Sequence, residues 1–447
     1  MKLNIEDVIE ATGGQIICIN ADSFTGISID SRTIKEGELF LALRGSRFDA
    51  HDFLDEALTK GSGAIVCRHL EDARTDKTII YVEDTLDALQ SIARFLRRKR
   101  KIPVIAITGS NGKTTTKELV VSILGTKYRV LKNKGNLNNH IGLPLSLTDL
   151  DEKDEIIVLE MGASAPGEIR DLCEIALPNY GILTNVGEAH LAGLRDLKTV
   201  RETKLELLDY VQAVAVNADD SFLMAGIEKS GFKGRLIRYA IQNDAEVRAT
   251  DIKLLDKGLN FMLHAADREP IETHSEMSGI FNIYNILAAV SMSILFDVGT
   301  QKIREAISAF KGVPMRLEIK EKDGVRFIKD FYNANPTSME NAIRELARVK
   351  KGRRIAVLGD MLELGSYAEE AHRQIGRLIS RLSIDVVVAV GPLMAFAASE
   401  IQGNVYTAET PDIAKRIVKN ICLKGDTVLI KGSRGMRMER VVEDYAL

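Results

Sequence analysis

The chain has 447 residues, of which 45% are hydrophobic and 28% are charged. At ~150 residues per domain, this length predicts three domains. Lys and Arg total 60 against 63 for Asp and Glu, and the net charge of -3 disfavours a basic DNA or RNA binder, so no nucleic-acid partner is expected. Four widely spaced cysteines without a C-x-x-C pair argue against a zinc ribbon or a disulfide framework.

The N-terminal sequence and the apolar segments both bear on location. The first ten residues carry acids where an export signal would carry a basic end followed by an apolar stretch, which favours a cytoplasmic location. The longest apolar segments, 286–298 and 386–398, are interrupted by serine or by Gly391-Pro392. Both are shorter than the ~20 residues of a spanning helix. We therefore expect buried elements and no membrane insertion.

Strand-like and helix-like segments alternate through most of the chain. Continuous apolar runs predict strands buried on both faces of a parallel sheet at 104–108, 156–160, 181–186 and 213–217. After Pro314 a second alternation predicts strands at 325–329, 355–358, 386–390 and 427–430. The fold class is therefore α/β, with a doubly wound C-terminal domain.

A basic run at 97–101 ends a helical stretch and leads into Ile102-Pro103. Such a seam is typical of a linker. It is equally typical of a solvated helix end, where cations are favoured by the helix dipole. In either interpretation the first domain boundary lies near residue 100.

The strongest chemical signal is TGSNGKTTT at 108–116, between a predicted strand and a helix-compatible stretch at 117–124. A strand that turns through glycines into a helix start directs backbone N–H groups at one point, as a polyphosphate requires. Lys113 adds charge for the terminal phosphates, and the Thr114 hydroxyl suits Mg²⁺. The loop departs from G-x-x-x-x-G-K-[ST], because Ile107 occupies the first glycine position. The candidate phosphate-binding residues are Gly109, Ser110, Asn111, Gly112, Lys113, Thr114 and Thr115.

Three further side chains fall near the same predicted sheet edge. Glu160 ends an apolar strand, where an acid either holds Mg²⁺ or is simply solvated. His190 follows the next predicted strand and is either structural or a ligand. Lys204 lies on the apolar stripe of a helix predicted at 198–210, four residues after Val200. Such a lysine normally snorkels, but one held near metal ions can lose its proton and form a carbamate with CO₂.

Three polar clusters follow strands of the C-terminal domain. They are 330–336, with Asp330, Asn333 and Asn335; 359–365; and 431–435, with Ser433. Each alone is compatible with an ordinary turn. Together they predict a site at the carboxyl edge of the sheet, where doubly wound folds bind ligands.

These residues resemble the Mur ligase family, ATP-dependent amide-forming enzymes of peptidoglycan synthesis. The resemblance spans essentially the whole chain, including DSR at 30–32, TGSNGKTTT, NLNNHIGLP at 136–144, EMG at 160–162 and NVGEAH at 185–190. DFYNANPTSM, GDMLELG and KGSRGMRME are most similar to the motifs of members that add D-alanyl-D-alanine. One departure is Phe281, where the family usually has His.

The resemblance implies three domains. Residues 1–98 would form a smaller α/β domain that binds the UDP substrate, residues 99–312 a central P-loop ATP-binding domain with a mostly parallel sheet, and residues 313–447 a Rossmann-like ligase domain. We expect a monomer. The implied reaction joins D-alanyl-D-alanine to UDP-N-acetylmuramoyl-tripeptide through an acyl phosphate. Another Mur-type amide ligase, a folylpolyglutamate synthetase-like enzyme and a non-enzymatic ATP-dependent switch are the alternatives.

The resemblance also implies roles for single residues. Thr114 and Glu160 would hold one Mg²⁺ ion, and His190 with carbamylated Lys204 would hold the second. The other implied contacts with ATP are Lys113 with the phosphates, Arg316 with the γ-phosphate, Asp330 with the ribose and Asn285 with the adenine. The implied catalytic residues are Lys113, Glu160, His190, Lys204 and Arg316. The implied substrate contacts are Ser31 and Arg32 near the uridine, Asn138 and Asn139, and Asn333, Asn335 and Ser433 at the dipeptide.

Overall fold

The computed structural model describes residues 3–45, 48–68 and 76–445. Its first unit is built on a five-stranded sheet in the order β2-β7-β6-β5-β4, with β1 and β3 paired separately. The sheet is parallel except for the β2–β7 pair. The elements are β1 (Leu3–Asn4), α1 (Ile5–Thr12), β2 (Gln15–Cys18), β3 (Ser23–Phe24), β4 (Gly26–Ser28), β5 (Glu38–Leu41), α2 (Leu54–Lys60), β6 (Gly63–Val66), β7 (Thr78–Tyr81) and α3 (Thr85–Lys99).

The second unit is built on a nine-stranded sheet in the order β16-β15-β14-β13-β12-β11-β8-β10-β9. Its elements are β8 (Val104–Thr108), α4 (Lys113–Leu124), β9 (Val130–Lys132), α5 (Gly142–Leu147), β10 (Ile156–Glu160), α6 (Glu168–Ala176), β11 (Tyr180–Leu183), α7 (Leu191–Leu194), α8 (Leu197–Leu205), β12 (Ala213–Asn217), α9 (Ser221–Ser230), β13 (Arg235–Ala240), β14 (Val247–Leu254), β15 (Leu259–Ala265), β16 (Ile271–Ser275), α10 (Ile280–Leu295) and α11 (Thr300–Ala309).

The strands from β9 to β14 run parallel, and β15 and β16 extend the sheet in antiparallel fashion. The four strands expected from apolar runs are present as β8, β10, β11 and β12, and separate apolar cores cover the two faces of the sheet. The continuous apolar run of α10 is explained by its position, because it packs against α4 and the sheet. No helix in the described part of the chain has the length and apolar character needed to cross a membrane.

The third unit is built on a six-stranded sheet in the order β17-β18-β22-β19-β20-β21, parallel except for β17. This confirms the α/β class with a doubly wound C-terminal unit. The elements are β17 (Glu318–Lys322), β18 (Val325–Asp330), α12 (Pro336–Ala347), β19 (Arg354–Gly359), α13 (Ala368–Arg381), β20 (Val386–Val390), α14 (Met394–Ala398), β21 (Asn404–Ala408), α15 (Pro411–Ile421) and β22 (Thr427–Lys431).

Several predicted boundaries differ from the structure, and two of the predicted elements end earlier than expected. The strand expected at 181–186 ends at Leu183, because Thr184 and Asn185 turn away to contact the glycine loop. The helix expected at 198–210 begins at Leu197 and ends at Leu205, and a 3₁₀ turn, Glu206–Asp209, follows. Apolar periodicity does not register the polar contacts of Thr184 and Asn185 that end the strand.

The basic run at 97–101 joins the first unit to the second. Arg97 is buried, and its guanidinium donates to the carbonyls of Ala176 (3.0 Å) and Leu177 (3.3 Å) at the end of α6. Arg100 donates to the carbonyls of Glu152 (2.6 Å) and Asp154 (2.9 Å). These cations satisfy carbonyls that would otherwise lack partners. The run is therefore a packed helix end and not an extended linker.

Candidate active site

The glycine loop lies between the end of β8 and the start of α4. Gly112 precedes Lys113 with a φ of +81°, in the left-handed region that glycine tolerates. A Cβ on Gly112 would lie 2.2 Å from Asn285 Oδ1, and one on Gly109 would lie 1.9 Å from Thr184 Oγ1. Glycine is therefore required at both positions by close packing as well as by backbone conformation.

The chain after β11 braces this loop. The Ser110 N–H donates to the Asn185 carbonyl and the Asn111 N–H donates to Asn185 Oδ1, both at 2.9 Å. Thr184 Oγ1 donates to the Asn111 carbonyl at 2.7 Å. These hydrogen bonds fix the shape of the loop, as a preorganised anion site requires. The sequence interpretation missed Thr184 and Asn185 as bracing residues, because both were placed inside a strand.

Lys113 and Glu160 face each other across this site. Lys113 Nζ donates to the Gly109 carbonyl at 2.8 Å and the Ser110 carbonyl at 3.3 Å. Burial lowers the pKa of Lys113, the Glu160 charge opposes this effect, and the Arg316 charge lowers the pKa further. Glu160 Oε1 accepts from Asn138 Nδ2 at 2.7 Å, whereas the buried Oε2 has no hydrogen-bond partner among the described residues.

The third unit reaches into the glycine loop at two points. An Arg316 guanidinium N–H donates to Thr114 Oγ1 at 2.8 Å, and the guanidinium lies 4.1 Å from the centre of the Tyr332 ring. Asn335 caps the start of α12 and donates from Nδ2 to Asn111 Oδ1 at 2.8 Å. Residues of two sheet units therefore meet at the glycine loop.

His190 and Lys204 lie in different surroundings. His190 Nδ1 lies 2.7 Å from Glu363 Oε2 of the third unit, and this contact lowers the pKa of Glu363. Lys204 is buried in α8, and its Nζ makes no hydrogen bond or ion pair with the described part of the chain. Burial, aided by the charge of Lys113, lowers the pKa of Lys204 to about 7. A sizeable neutral fraction at neutral pH follows.

The polar clusters of the third unit follow three adjacent strands, β18, β22 and β19. Lys431 Nζ donates to Asp330 Oδ2 at 2.7 Å and to the Asn333 carbonyl at 3.0 Å. Ser433 is buried, accepts from the Leu362 N–H at 2.8 Å and donates to the Ala334 carbonyl at 3.3 Å. The predicted common edge is confirmed, and Ser433 ties the clusters together.

A cavity of about 590 Å³ joins these groups. Most of the sequence-predicted residues line it, namely Ser110, Asn111, Gly112, Lys113, Thr114, Thr115, Asn138, Asn139, Glu160, His190, Asn285, Arg316, Asp330, Asn333 and Asn335. Gly109, Lys204 and Ser433 lie outside the lining. Ser31 and Arg32 of the first unit also lie outside it; Ser31 donates to Glu56, and Arg32 pairs with Asp30. The cavity also has Tyr332 and Glu363 in its wall, which belong to two of the predicted polar clusters but had no role of their own in the sequence interpretation.

The donor set fits Mg²⁺ bound together with phosphates. Within the described residues no cluster of three His, Cys, Asp or Glu side chains forms a self-sufficient metal site. Mg²⁺ does not need one, because it keeps several waters and takes one or two carboxylates plus phosphate oxygens. Glu160 Oε2, which has no hydrogen-bond partner in the described part of the chain, and the Thr114 hydroxyl supply oxygen donors at the mouth of the glycine loop.

A glycine loop with Lys113 and Thr114, an acid on the adjacent strand and an arginine from another unit define a P-loop nucleotide-binding enzyme. The chain belongs to the Mur ligase family. The Mur ligase family catalytic domain matches residues 23–97, the Mur ligase middle domain matches residues 107–293, and the Mur ligase glutamate ligase domain matches residues 315–434. It is thus an ATP-dependent ligase that forms carbon–nitrogen bonds, as the sequence resemblance implied.

Individual relatives narrow the similarity further within this family. The chain is 35% identical to the UDP-N-acetylmuramoyl-tripeptide--D-alanyl-D-alanine ligase of Bacillus subtilis (strain 168), over 94% of this chain and 92% of that protein. Its fold matches crystal structure I of MurF from Acinetobacter baumannii with a TM-score of 0.92, at 30% identity, covering 100% of this chain and 99% of that one. MurF ligase from Thermotoga maritima in complex with ADP matches with a TM-score of 0.83, at 30% identity, covering 94% and 96%.

The packing of Gly112 generates a prediction. We expect Gly112→Ala to weaken ADP binding by at least roughly tenfold, because the methyl group would collide with Asn285 and the positive φ costs about 1–2 kcal/mol in any other residue. Isothermal titration calorimetry measures the affinity. Gly231→Ala is the matched control, since Gly231 also has a positive φ but its Cβ would meet nothing within 4 Å. ADP binding of Gly112→Ala at wild-type affinity would contradict the packing argument.

Proposed function

We propose that this chain joins D-alanyl-D-alanine to UDP-N-acetylmuramoyl-tripeptide in cytoplasmic peptidoglycan precursor synthesis. The observation that carries the proposal is similarity over more than nine-tenths of the chain to a ligase with that name. The geometry supports it further. Three polar clusters share one edge of the third sheet, facing the glycine loop across a single cavity.

The loop from Gly109 to Thr115 would cradle the ATP phosphates. Lys113 would contact the β- and γ-phosphates. Arg316 would reach the γ-phosphate, which is supported by the contact of its guanidinium with Thr114. Asp330 would bind the ribose. Asn285 would meet the adenine, which is supported by its place beside Gly112 in the cavity wall.

Two Mg²⁺ ions are part of the proposal. Thr114 and Glu160 would hold one ion, and His190 with carbamylated Lys204 would hold the other. The ions would neutralise charge that develops on the transferred phosphoryl group. A lysine pKa of about 7 favours the carbamate, because the neutral amine adds to CO₂ and releases a proton, leaving an anionic oxygen ligand.

The reaction would proceed in two steps. The terminal carboxylate of the tripeptide attacks the γ-phosphate of ATP, which gives an acyl phosphate and ADP. The neutral amine of D-alanyl-D-alanine then attacks the acyl carbon, and inorganic phosphate leaves as the amide forms. Lys113 and Arg316 stabilise the charge on the phosphoryl oxygens and keep the reacting groups aligned.

The remaining substrate contacts follow from the same arrangement. Residues 1–98 would bind the UDP end through Ser31 and Arg32, residues 99–312 would bind ATP, and residues 313–447 would bring the dipeptide. Asn138 and Asn139 would face the peptide substrate, and Asn333, Asn335 and Ser433 would form the dipeptide pocket. We propose that the enzyme works as a monomer.

Phosphate release tests the proposed function. The assay contains the enzyme, ATP and Mg²⁺, with UDP-N-acetylmuramoyl-tripeptide and D-alanyl-D-alanine added singly and together. We expect phosphate release only when both are present, because the acyl phosphate needs the carboxylate and its turnover needs the amine. L-Alanyl-L-alanine serves as the matched control for the amine. Phosphate release that is indifferent to both substrates would contradict the proposal.

The carbamate generates a separate prediction. We expect Lys204→Ala to lower kcat at least ~100-fold, because a metal ligand is lost. Acetate or formate should restore part of the activity by placing a carboxylate in the vacated space. Lys198→Ala, an exposed lysine on the same helix, should keep wild-type activity and show no response to these anions. Full activity of Lys204→Ala without any additive would rule out the carbamate.

A further inference from the structure

A side chain continues the strand pairing beyond the end of β9. The strand pairs in parallel with β10 as far as Lys132, which lies opposite Val158. The next residue, Asn133, then pairs through its side chain with the main chain of Glu160. Asn133 Oδ1 accepts from the Glu160 N–H, and Nδ2 donates to the Glu160 carbonyl, both at 3.0 Å. The side-chain amide thus takes the place of a backbone peptide group and extends the pairing at the carboxyl edge of the sheet.

The same amide group also holds the loop that contacts the Glu160 carboxylate. Asn133 Nδ2 donates to the Leu137 carbonyl at 2.7 Å. The following residue is Asn138, whose side chain donates to Glu160 Oε1 at 2.7 Å and whose carbonyl accepts from the Gly162 N–H at 2.9 Å. Glu160 is therefore fixed both at its main chain and at one carboxylate oxygen. The other oxygen, Oε2, is buried and without a partner among the described residues.

A buried lysine connects Asn133 to α4, the helix that follows the glycine loop. Lys117 lies one turn after Lys113 in α4, and its side chain is 0% exposed. Its Nζ donates to the Asn133 carbonyl at 2.7 Å and lies 3.3 Å from Glu118 Oε1, which balances its charge. Burying an ammonium group is costly unless it is paired and hydrogen-bonded. The contact fixes Asn133 relative to the helix that begins at the phosphate site.

We propose that Asn133, held by Lys117, is a positioning residue that sets the Glu160 carboxylate so that Oε2 is left free for the metal ion that accompanies the nucleotide. This inference rests on the proposed role of Glu160 as a metal ligand. Groups that orient metal ligands typically change metal affinity or activity 10–100-fold when they are removed. Asn133 itself lies outside the lining of the cavity, so its effect is expected through Glu160.

The test measures metal binding without turnover. Asn133→Asp keeps the shape of the side chain but places an oxygen against the carbonyls of Leu137 and Glu160. The full-length protein is heated with ADP at increasing Mg²⁺ concentration, and the unfolding midpoint is recorded. We expect the Mg²⁺ concentration that gives half of the Mg²⁺-dependent increase to rise about 10–100-fold. The increase caused by ADP without Mg²⁺ should stay at the wild-type value.

Two further variants guard against a simple folding defect. Lys117→Met keeps the Asn133 side chain but removes the hydrogen bond that holds its carbonyl. We therefore expect the required Mg²⁺ concentration to rise in this variant too, even if Asn133→Asp does not fold. Lys134→Ala is the matched control, because Lys134 is the next residue, is 78% exposed and forms an exposed ion pair with Asp149. Its Mg²⁺ dependence should equal that of the wild type.

The outcomes separate this inference from the proposed function. Variants of Asn133 or Lys117 that lower the unfolding midpoint yet keep the wild-type Mg²⁺ dependence would overturn the positioning role and leave a structural one. A wild-type protein without any Mg²⁺-dependent increase would overturn the metal role of Glu160 and the inference with it. Phosphate release that ignores D-alanyl-D-alanine would remove only the substrate assignment, because the ADP and Mg²⁺ comparison uses neither peptide substrate.

Discussion

Positive charge concentrated around one glycine loop is the constraint on which the rest of this structure depends. The charge of Lys113 lowers the pKa of Lys204, and the charge of Arg316, a third cation from another unit, lowers the pKa of Lys113. Glu160 supplies the opposing charge that Lys113 feels. Buried cations are costly without compensating anions. A polyphosphate supplies those anions, which is why this site is suited to ATP.

The second constraint is that the site belongs to two sheet units. Arg316 and Asn335 come from the third unit, yet they contact Thr114 and Asn111 of the glycine loop. The His190–Glu363 pair also joins these two units. Any displacement of the third unit therefore removes a cation from the phosphate site. In a ligase this arrangement suits the chemistry, because phosphoryl transfer depends on charge stabilisation and alignment more than on covalent participation by the protein.

The sequence predicted those features of the fold and the site that follow directly from residue type. Continuous apolar runs located β8, β10, β11 and β12, and the glycine loop with Lys113 located the nucleotide site. The three polar clusters were expected on one edge, and the order β18-β22-β19 confirms it. The roles assigned to single residues remain proposals, although the cavity brings most of those residues together.

Other features of the structure left no such pattern in the sequence. The strands from β13 to β16 were not predicted, because their half-buried positions give no continuous apolar run. The contact of His190 with Glu363 joins residues far apart in sequence, and neither periodicity nor a motif marks the pair. Asn133 stands between two lysines in a polar loop and resembles an ordinary turn residue. Its pairing with the Glu160 main chain appears only in three dimensions.

The central claim is that the enzyme activates the terminal carboxylate of the tripeptide by transferring the γ-phosphoryl group of ATP to it in this cavity. In that chemistry one oxygen of the released phosphate comes from the substrate carboxylate. The direct measurement uses UDP-N-acetylmuramoyl-tripeptide labelled with ¹⁸O in its terminal carboxylate, followed by mass spectrometry of the phosphate. The account predicts one substrate-derived oxygen in each phosphate formed. Phosphate that carries no label, released while the amide product accumulates, would contradict it.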